Sequence, residues 1–107
     1  MAARNINHQE FENLLQNGKI VLVDYWAPWC GYCRRIGPAY DKIAEEYGDR
    51  LEIVKINIDD EPVLAHNEHI EVIPTLVIYS GGKAVSSVVA PESKAAISAF
   101  IDESLGK

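Results

Sequence analysis

Residues 20–33 read Ile-Val-Leu-Val-Asp-Tyr-Trp-Ala-Pro-Trp-Cys-Gly-Tyr-Cys, and this stretch decides how the chain folds. Its aliphatic start, residues 20–23, is typical of a short strand that is buried on both faces, and Tyr25 and Trp26 extend it. The segment 27–29 contains a proline and interrupts the strand. From Gly31 to about Tyr47 the apolar residues recur at helical spacing, which predicts a one-faced helix. Two cysteines are therefore expected where a buried strand gives way to a helix.

The rest of the chain alternates between helical and extended patterns. Strands are predicted over residues 51–58 and 75–79, and Gly81-Gly82 indicates a hairpin into a further strand over 84–89. Helices are predicted after Asn7, which forms a capping box with Glu10, after Pro62, and after residues 91–93. The order αβαβαββα, with a short strand near residues 4–6 as an option, predicts an α/β fold. One domain over residues 1–107 is expected, with helices on both faces of a mixed central sheet.

Composition and charge exclude several classes of function. The chain has 107 residues with 16 acidic and 10 basic side chains, and its formal charge of −6 argues against binding to nucleic acid. No run of about eighteen apolar residues occurs, so no membrane span is expected. The polar N-terminal segment lacks the apolar core of a secretory signal, and two cysteines are few for a disulfide-stapled secreted domain. A cytoplasmic protein is expected.

The strongest chemical signal is the pair Cys30 and Cys33. Their spacing places both sulfurs on one side of the first turn of a helix, where free N–H groups and the helix dipole stabilise a thiolate on Cys30. Cys30 is expected to be the exposed nucleophile and Cys33 the more buried partner in disulfide exchange. The alternatives are half of a metal site, with His66 or His69 as the downstream histidine ligands, or an inert pair of buried cysteines.

Residues 24–33 resemble the active-site segment of thioredoxins. Downstream, Lys55-Ile56-Asn57-Ile58-Asp59, Pro62, Ile73-Pro74-Thr75 and Gly82 follow in thioredoxin order and at near-thioredoxin spacing, so the resemblance covers almost the whole chain. It implies a thioredoxin fold that reduces disulfides in protein substrates by reversible oxidation of Cys30 and Cys33. It also implies a thioredoxin reductase-like electron donor and no bound cofactor or metal.

The resemblance assigns roles to three residues outside the cysteine pair. Asp24 is a carboxylate in an apolar strand, and burial tends to raise the pKa of such a group. The resemblance makes it the proton acceptor for Cys33, whereas the alternative is a structural aspartate at a strand end. Lys55 matches the lysine that approaches this aspartate, or it is an ordinary strand lysine. Pro74 matches the cis-proline of the family, whose loop is expected to pair with substrate main chain.

Substrate contacts are expected from six residues around the sulfurs: Trp29, Gly31, Tyr32, Ile73, Pro74 and Ala90. The chain departs from thioredoxins at Tyr32, where most have proline, and at His69, Val72 and Ala90, where glycine is usual. The N–H of Tyr32 is expected to point at the sulfur of Cys30, and its ring to lie at the surface. Such a donor would stabilise the thiolate of Cys30. The reduction potential of the cysteine pair is therefore expected to lie some tens of millivolts above that of a typical thioredoxin.

Three other functions remain open from the sequence. A protein disulfide oxidase or isomerase would use the same cysteines at a higher potential. A non-catalytic thioredoxin-fold binding module would dock partners without chemistry. A metal or iron–sulfur scaffold would need a dimer joined through the cysteines, whereas the reductase is expected to be a monomer.

Overall fold

The chain forms five strands and four helices in a computed structural model that describes residues 3–106. Met1, Ala2 and Lys107, which hold both ends of the predicted domain, lie outside the described residues. The elements follow the predicted order and include the optional first strand: β1 (Arg4–Asn5), α1 (His8–Gln16), β2 (Val21–Trp26), α2 (Gly31–Tyr47), β3 (Glu52–Asn57), α3 (Pro62–Asn67), β4 (Thr75–Ser80), β5 (Lys83–Val89) and α4 (Lys94–Ser104).

The sheet has the strand order β1-β3-β2-β4-β5, with β2 at its centre. Strands β1, β3 and β2 run parallel to each other, while β4 is antiparallel to both β2 and β5. The prediction of a mixed sheet is therefore confirmed. In this register Asp24 lies between Lys55 of β3 and Leu76 of β4.

Helices cover both faces of the sheet, as predicted. Successive side chains of β2 point to opposite faces, so Leu22 packs with residues of α2 and α4, whereas Val23 packs with residues of α1 and α3. Tyr40, fully buried on α2, donates its hydroxyl to the carbonyl oxygens of Leu22 (3.1 Å) and Val54 (2.7 Å). These bonds fix α2 across the two central strands and thereby fix the position of its first turn.

The helix boundaries follow the sequence signals. Asn7 and Glu10 form the predicted capping box, with 2.9 Å between donor and acceptor in both directions. Helix α3 begins at Pro62, and α2 continues through Pro38 to Tyr47. None of the helices within residues 3–106 is both long enough and apolar enough to cross a membrane.

Two loops carry a left-handed backbone at residues other than glycine. His69 has φ 60° and Ala90 has φ 47°, and both stand where glycine was expected. Val72, the third such replacement, has no positive φ. A side chain in the left-handed region clashes with the neighbouring carbonyl oxygen. The left-handed backbone at His69 and Ala90 is therefore sterically strained, and the surrounding structure must hold it in that conformation.

We predict that Ala90→Gly raises the free energy of unfolding. Relief of the left-handed strain, about 1–2 kcal/mol, exceeds the entropy cost of glycine, about 0.5–1 kcal/mol, so a net gain of about 0.5–1 kcal/mol is expected. Urea unfolding measures it through a higher midpoint at constant slope. Ala99→Gly in the exposed middle of α4 is the matched control and lowers stability by about 1 kcal/mol. Loss of stability on Ala90→Gly contradicts the strain.

Candidate active site

Cys30 and Cys33 lie at the junction between β2 and α2, as predicted. Cys30 is the N-cap of α2, and the two cysteines form a disulfide with 5.3 Å between their Cα atoms. Cys30 is half-buried, whereas Cys33 is only 4% exposed. The expected order of exposure, with Cys30 more accessible than Cys33, is confirmed. Gly31 is exposed between them, with open space around its Cα.

The sulfur of Cys30 accepts a hydrogen bond from the first turn of α2. The donor is the N–H of Cys33, 3.2 Å away, and the expectation that Tyr32 supplies this N–H is wrong. The reason is the N-cap geometry, in which a cap side chain with extended backbone reaches the third residue of the helix. The same bond, together with the positive end of the helix dipole, stabilises negative charge on Cys30 when the disulfide is open.

Arg34 contributes to the shape of this turn, which sequence reasoning did not foresee. Its guanidinium donates to the carbonyl oxygen of Pro28 at 2.7 Å. The segment between β2 and α2 is therefore tied to the helix that follows it. From the sequence, Arg34 next to Cys33 was interpreted only as a source of positive potential. The sequence does not indicate which main-chain carbonyl its side chain binds, and the acceptor lies six residues earlier.

Asp24 is buried in the centre of the sheet. Its side chain is 2% exposed, and Oδ1 has no hydrogen-bond partner among the described residues. Burial raises the pKa of its carboxyl from 3.8 to about 7, and the positive charge of Lys55 opposes this rise only in part. Side chains alternate along β2, so Asp24 lies on the same face of the sheet as Leu22, the face covered by α2. Its negative charge contributes to the raised pKa of Tyr40. Near neutral pH Asp24 can both hold and release a proton.

Lys55 is Asp24's partner in the strand register, but its ammonium group is directed elsewhere. It lies over the ring of Trp26, with 4.4 Å between Nζ and the ring centroid, and no ion pair with Asp24 forms within the described residues. Trp26 in turn donates its indole N–H to Asn5 at 2.7 Å. Lys55 therefore influences Asp24 through its charge and not through contact.

The loop before β4 faces the sulfurs. The Ile73–Pro74 peptide bond is cis, as the resemblance implied, and the carbonyl oxygen of Ile73 lies 3.9 Å from the sulfur of Cys30. The carbonyl oxygen of Pro74 accepts the N–H of Ala90 at 2.8 Å. Thr75 donates its hydroxyl to the carbonyl oxygen of Val72. The structure thus brings residues 73, 74 and 90 together beside Cys30.

Exposed apolar side chains surround this point. Trp29 is 66% exposed, Val72 55% and Val89 51%. The indole N–H of Trp29 donates to the carboxylate of Asp59 at 3.0 Å, which fixes the ring beside Cys30. Val89 pairs with Thr75 in the β4–β5 register and so lies next to the proline loop. An apolar surface of this kind, made by residues from three segments, is typical of a site that binds other proteins.

Tyr32 differs from its predicted placement. Its ring is half-buried and packs against the core cluster beneath α2, and its hydroxyl donates to the carbonyl oxygen of Pro91 at 2.8 Å. The ring was expected to lie at the surface, and it is instead half-buried. The acceptor lies 59 residues away along the chain, and main-chain carbonyls carry no sequence signal.

Within residues 3–106, no group of three or more His, Cys, Asp or Glu side chains is arranged to hold a metal ion. His66 and His69, the histidines considered as ligands, therefore form no such group with the cysteines.

Comparison with known proteins gives a consistent result. The thioredoxin family model matches residues 2–103. The thioredoxin of Acidithiobacillus ferridurans is 43% identical over 101 residues, covering 94% of each chain. Thioredoxin 1 of Nostoc sp. is 39% identical over 105 residues, covering 97% of this chain and 98% of its own. A mutant thioredoxin from Halobacterium salinarum NRC-1 matches with a TM-score of 0.83 at 27% identity, covering 94% of this chain and 88% of that one.

A family match over nearly the whole chain thus coincides with a disulfide-forming cysteine pair at a helix N-terminus. The chain belongs to the thioredoxin family, and it is a thiol–disulfide oxidoreductase that reduces protein disulfides.

Proposed function

We propose that Cys30 is the attacking sulfur, that Cys33 is the resolving sulfur and that Asp24 receives the proton of Cys33. The observation that carries this proposal is the asymmetry of the pair, in which Cys30 is accessible at the helix cap and Cys33 is 4% exposed. In the dithiol form the Cys30 thiolate attacks one sulfur of a substrate disulfide. This step forms a mixed disulfide and releases the other substrate sulfur as a thiolate.

Resolution of the mixed disulfide requires Cys33 to lose its proton. A thiol in buried apolar surroundings is a poor acid, so a nearby base is needed. Asp24 suits this role because its carboxyl is buried on the α2 side of the sheet with a pKa raised to about 7. The Cys33 thiolate then attacks Cys30, the substrate leaves with two reduced sulfurs, and the protein is left with the Cys30–Cys33 disulfide. Lys55 acts on Asp24 by limiting the rise of its pKa.

The proposed substrates are disulfide-containing proteins with an extended apolar segment beside the disulfide. The apolar surface made by Trp29, Val72 and Val89 favours such segments. The main chain around Ile73 and Pro74 lies beside the sulfur of Cys30 and offers peptide groups for strand-like pairing. Gly31 is exposed next to Cys30 and adds no side chain to this surface.

We further propose that the chain works as a monomer in the cytoplasm and is reduced again by a thioredoxin reductase-like protein. Both cysteines belong to the redox pair, so the fold contains no structural disulfide for an oxidising compartment to maintain. The donor supplies the two electrons that convert the disulfide back into the dithiol, which closes the cycle without a bound cofactor.

The first test separates the two sulfurs. Wild type is expected to reduce insulin in the presence of a small dithiol, and Cys30→Ser is expected to abolish this activity because the attacking sulfur is lost. Cys33→Ser leaves the attack intact but blocks resolution, so mixed disulfides with insulin accumulate and are seen by non-reducing electrophoresis and mass spectrometry. Accumulation with Cys30→Ser instead would reverse the two roles.

The second test measures the reduction potential of the cysteine pair, which distinguishes a disulfide reductase from an isomerase. Thioredoxins have reduction potentials near about −270 mV and protein disulfide isomerases near about −180 mV. Because Tyr32 does not donate its N–H to Cys30, we expect a value close to the thioredoxin range. Equilibration against dithiol buffers of known potential, read by alkylation, gives the number. A value near about −180 mV would favour the isomerase instead.

The third test uses the buried carboxyl. Asp24 ionises near pH 7 in the folded protein and near 3.8 in the unfolded chain, so between these values the folded state binds more protons. The free energy of unfolding of the oxidised protein therefore falls as the pH rises from about 4 to about 7, by up to about 4 kcal/mol. Asp24→Asn is expected to remove this fall and to be more stable than wild type at pH 8.

Urea unfolding at pH 5 and pH 8 measures the effect of Asp24→Asn, with the exposed Asp49→Asn as the matched control. The control is expected to keep the wild-type pH dependence. Asp24→Asn should also prolong the life of the mixed disulfide. A turnover that equals wild type from pH 6 to pH 9 would remove Asp24 from the mechanism.

A further inference from the structure

Tyr32 connects the first turn of α2 to the loop between β5 and α4. Its hydroxyl donates to the carbonyl oxygen of Pro91 at 2.8 Å, and its ring packs against the core beneath the helix. Pro91 is buried, and the preceding residue, Ala90, donates its N–H to the carbonyl oxygen of Pro74. A closed path of contacts therefore runs from the cysteine pair through Tyr32 and residues 90–91 to the cis-proline loop.

We propose that the Tyr32 hydroxyl is a positioning group that holds the β5–α4 loop against the active site and so favours protein disulfides over small ones. The inference rests on the proposed function and deepens it, because it names a residue that determines which substrates are reduced. Tyr32 acts here through the loop and not on the sulfurs, since the N–H that reaches Cys30 belongs to Cys33.

The loop needs such a contact because its backbone is strained. Ala90 has φ 47°, a conformation that persists only where the surroundings impose it. One side of the loop is held by the Ala90–Pro74 hydrogen bond at 2.8 Å. On the other side a groove separates α2 from residues 92 and 93. Its lining residues are Tyr32, Arg35, Ile36, Ala39, Glu92 and Ser93. The Tyr32 hydroxyl makes a polar contact that spans from α2 to the loop beside this groove.

The position of the loop matters for long substrates. A protein segment that pairs with residues 73 and 74 passes the Ala90 peptide, which is bonded to Pro74. A loop held in one position binds such a segment without first having to be ordered. A small disulfide reacts at the sulfur of Cys30 and has no chain to lay along the loop. Loss of the hydroxyl is therefore expected to weaken protein reduction selectively.

The experiment compares Tyr32→Phe, which removes only the hydroxyl, with Tyr47→Phe. Tyr47 lies at the other end of α2, and its hydroxyl donates to Asp102 at 3.2 Å, so this variant loses a similar bond away from the site. Second-order rate constants are measured in single turnover for reduced protein with insulin and with dithiobis(nitrobenzoate). The ratio of the two constants is expected to fall about threefold to tenfold for Tyr32→Phe, the factor that one hydrogen bond accounts for. For Tyr47→Phe the ratio should stay at the wild-type value.

Hydrogen exchange at the Ala90 amide tests the structural step directly. Without the Tyr32 hydroxyl the loop opens more often, so exchange at Ala90 is expected to be about threefold to tenfold faster in Tyr32→Phe. Tyr32→Ala, which also removes the ring, should show a larger increase in exchange and a larger loss of the ratio. Both readouts stay at the wild-type level in Tyr47→Phe.

The outcomes distinguish the inference from the proposed function. The inference is overturned if the ratio of the two rate constants is unchanged in Tyr32→Phe. It is also overturned if both rate constants and the reduction potential change in parallel, because the hydroxyl would then act on the chemistry of the sulfurs. If wild type reduces neither disulfide, the proposed function fails. Hydrogen exchange at the Ala90 amide then still decides whether Tyr32 holds the loop. Equal exchange rates in Tyr32→Phe and wild type would show that it does not.

Discussion

The hydrogen bond from the N–H of Cys33 to the sulfur of Cys30, 3.2 Å long, is the interaction on which the rest of the site depends. It exists only where a helix begins, because an N–H in the first turn has no partner within the helix. The start of α2 is fixed in turn by Tyr40, whose hydroxyl contacts the main chain of both β2 and β3. Packing in the core thus sets where a thiolate is stabilised.

Asp24 shows the cost of the same arrangement. A carboxyl at the centre of the sheet lowers stability whenever it is ionised, and Oδ1 gains no hydrogen bond from the described residues in return. Apolar clusters packed on both faces of the sheet offset this loss of stability. Leu22 lies in one cluster and Val23 in the other. A destabilising residue retained inside a well-packed core is typical of a functional position, and that supports the proton-transfer role proposed for it.

How much the sequence predicts depends on the range of the interaction. Local signals succeeded: the Asn7–Glu10 capping box, the spacing of Ile36 and Tyr40 on α2, and the glycine pair before β5 all act over a few residues. The cis peptide before Pro74 was expected only from resemblance, since residue type alone does not reveal it. Direct contacts between distant residues were missed.

The missed contacts share a physical reason. Lys55 was expected near Asp24, and the register does place them side by side, yet the ammonium group lies over Trp26. The choice depends on desolvation. Lys55 and Trp26 are both only half-buried, so an ammonium over this ring stays closer to water than one in contact with the buried carboxyl would. Side-chain direction of this kind is decided by burial, which a one-dimensional pattern does not contain.

Two of the departures from the thioredoxin pattern meet in one place. Tyr32 stands where proline was expected and Ala90 where glycine was expected, and the hydroxyl of the first bonds the residue that follows the second. Alanine restricts the loop backbone more than glycine does, and the hydroxyl bond restricts it further. Either change alone would strain or tether the loop, and together they restrict the conformations open to residues 90 and 91. Both side chains therefore act on the same short segment, the loop that borders the cysteine pair.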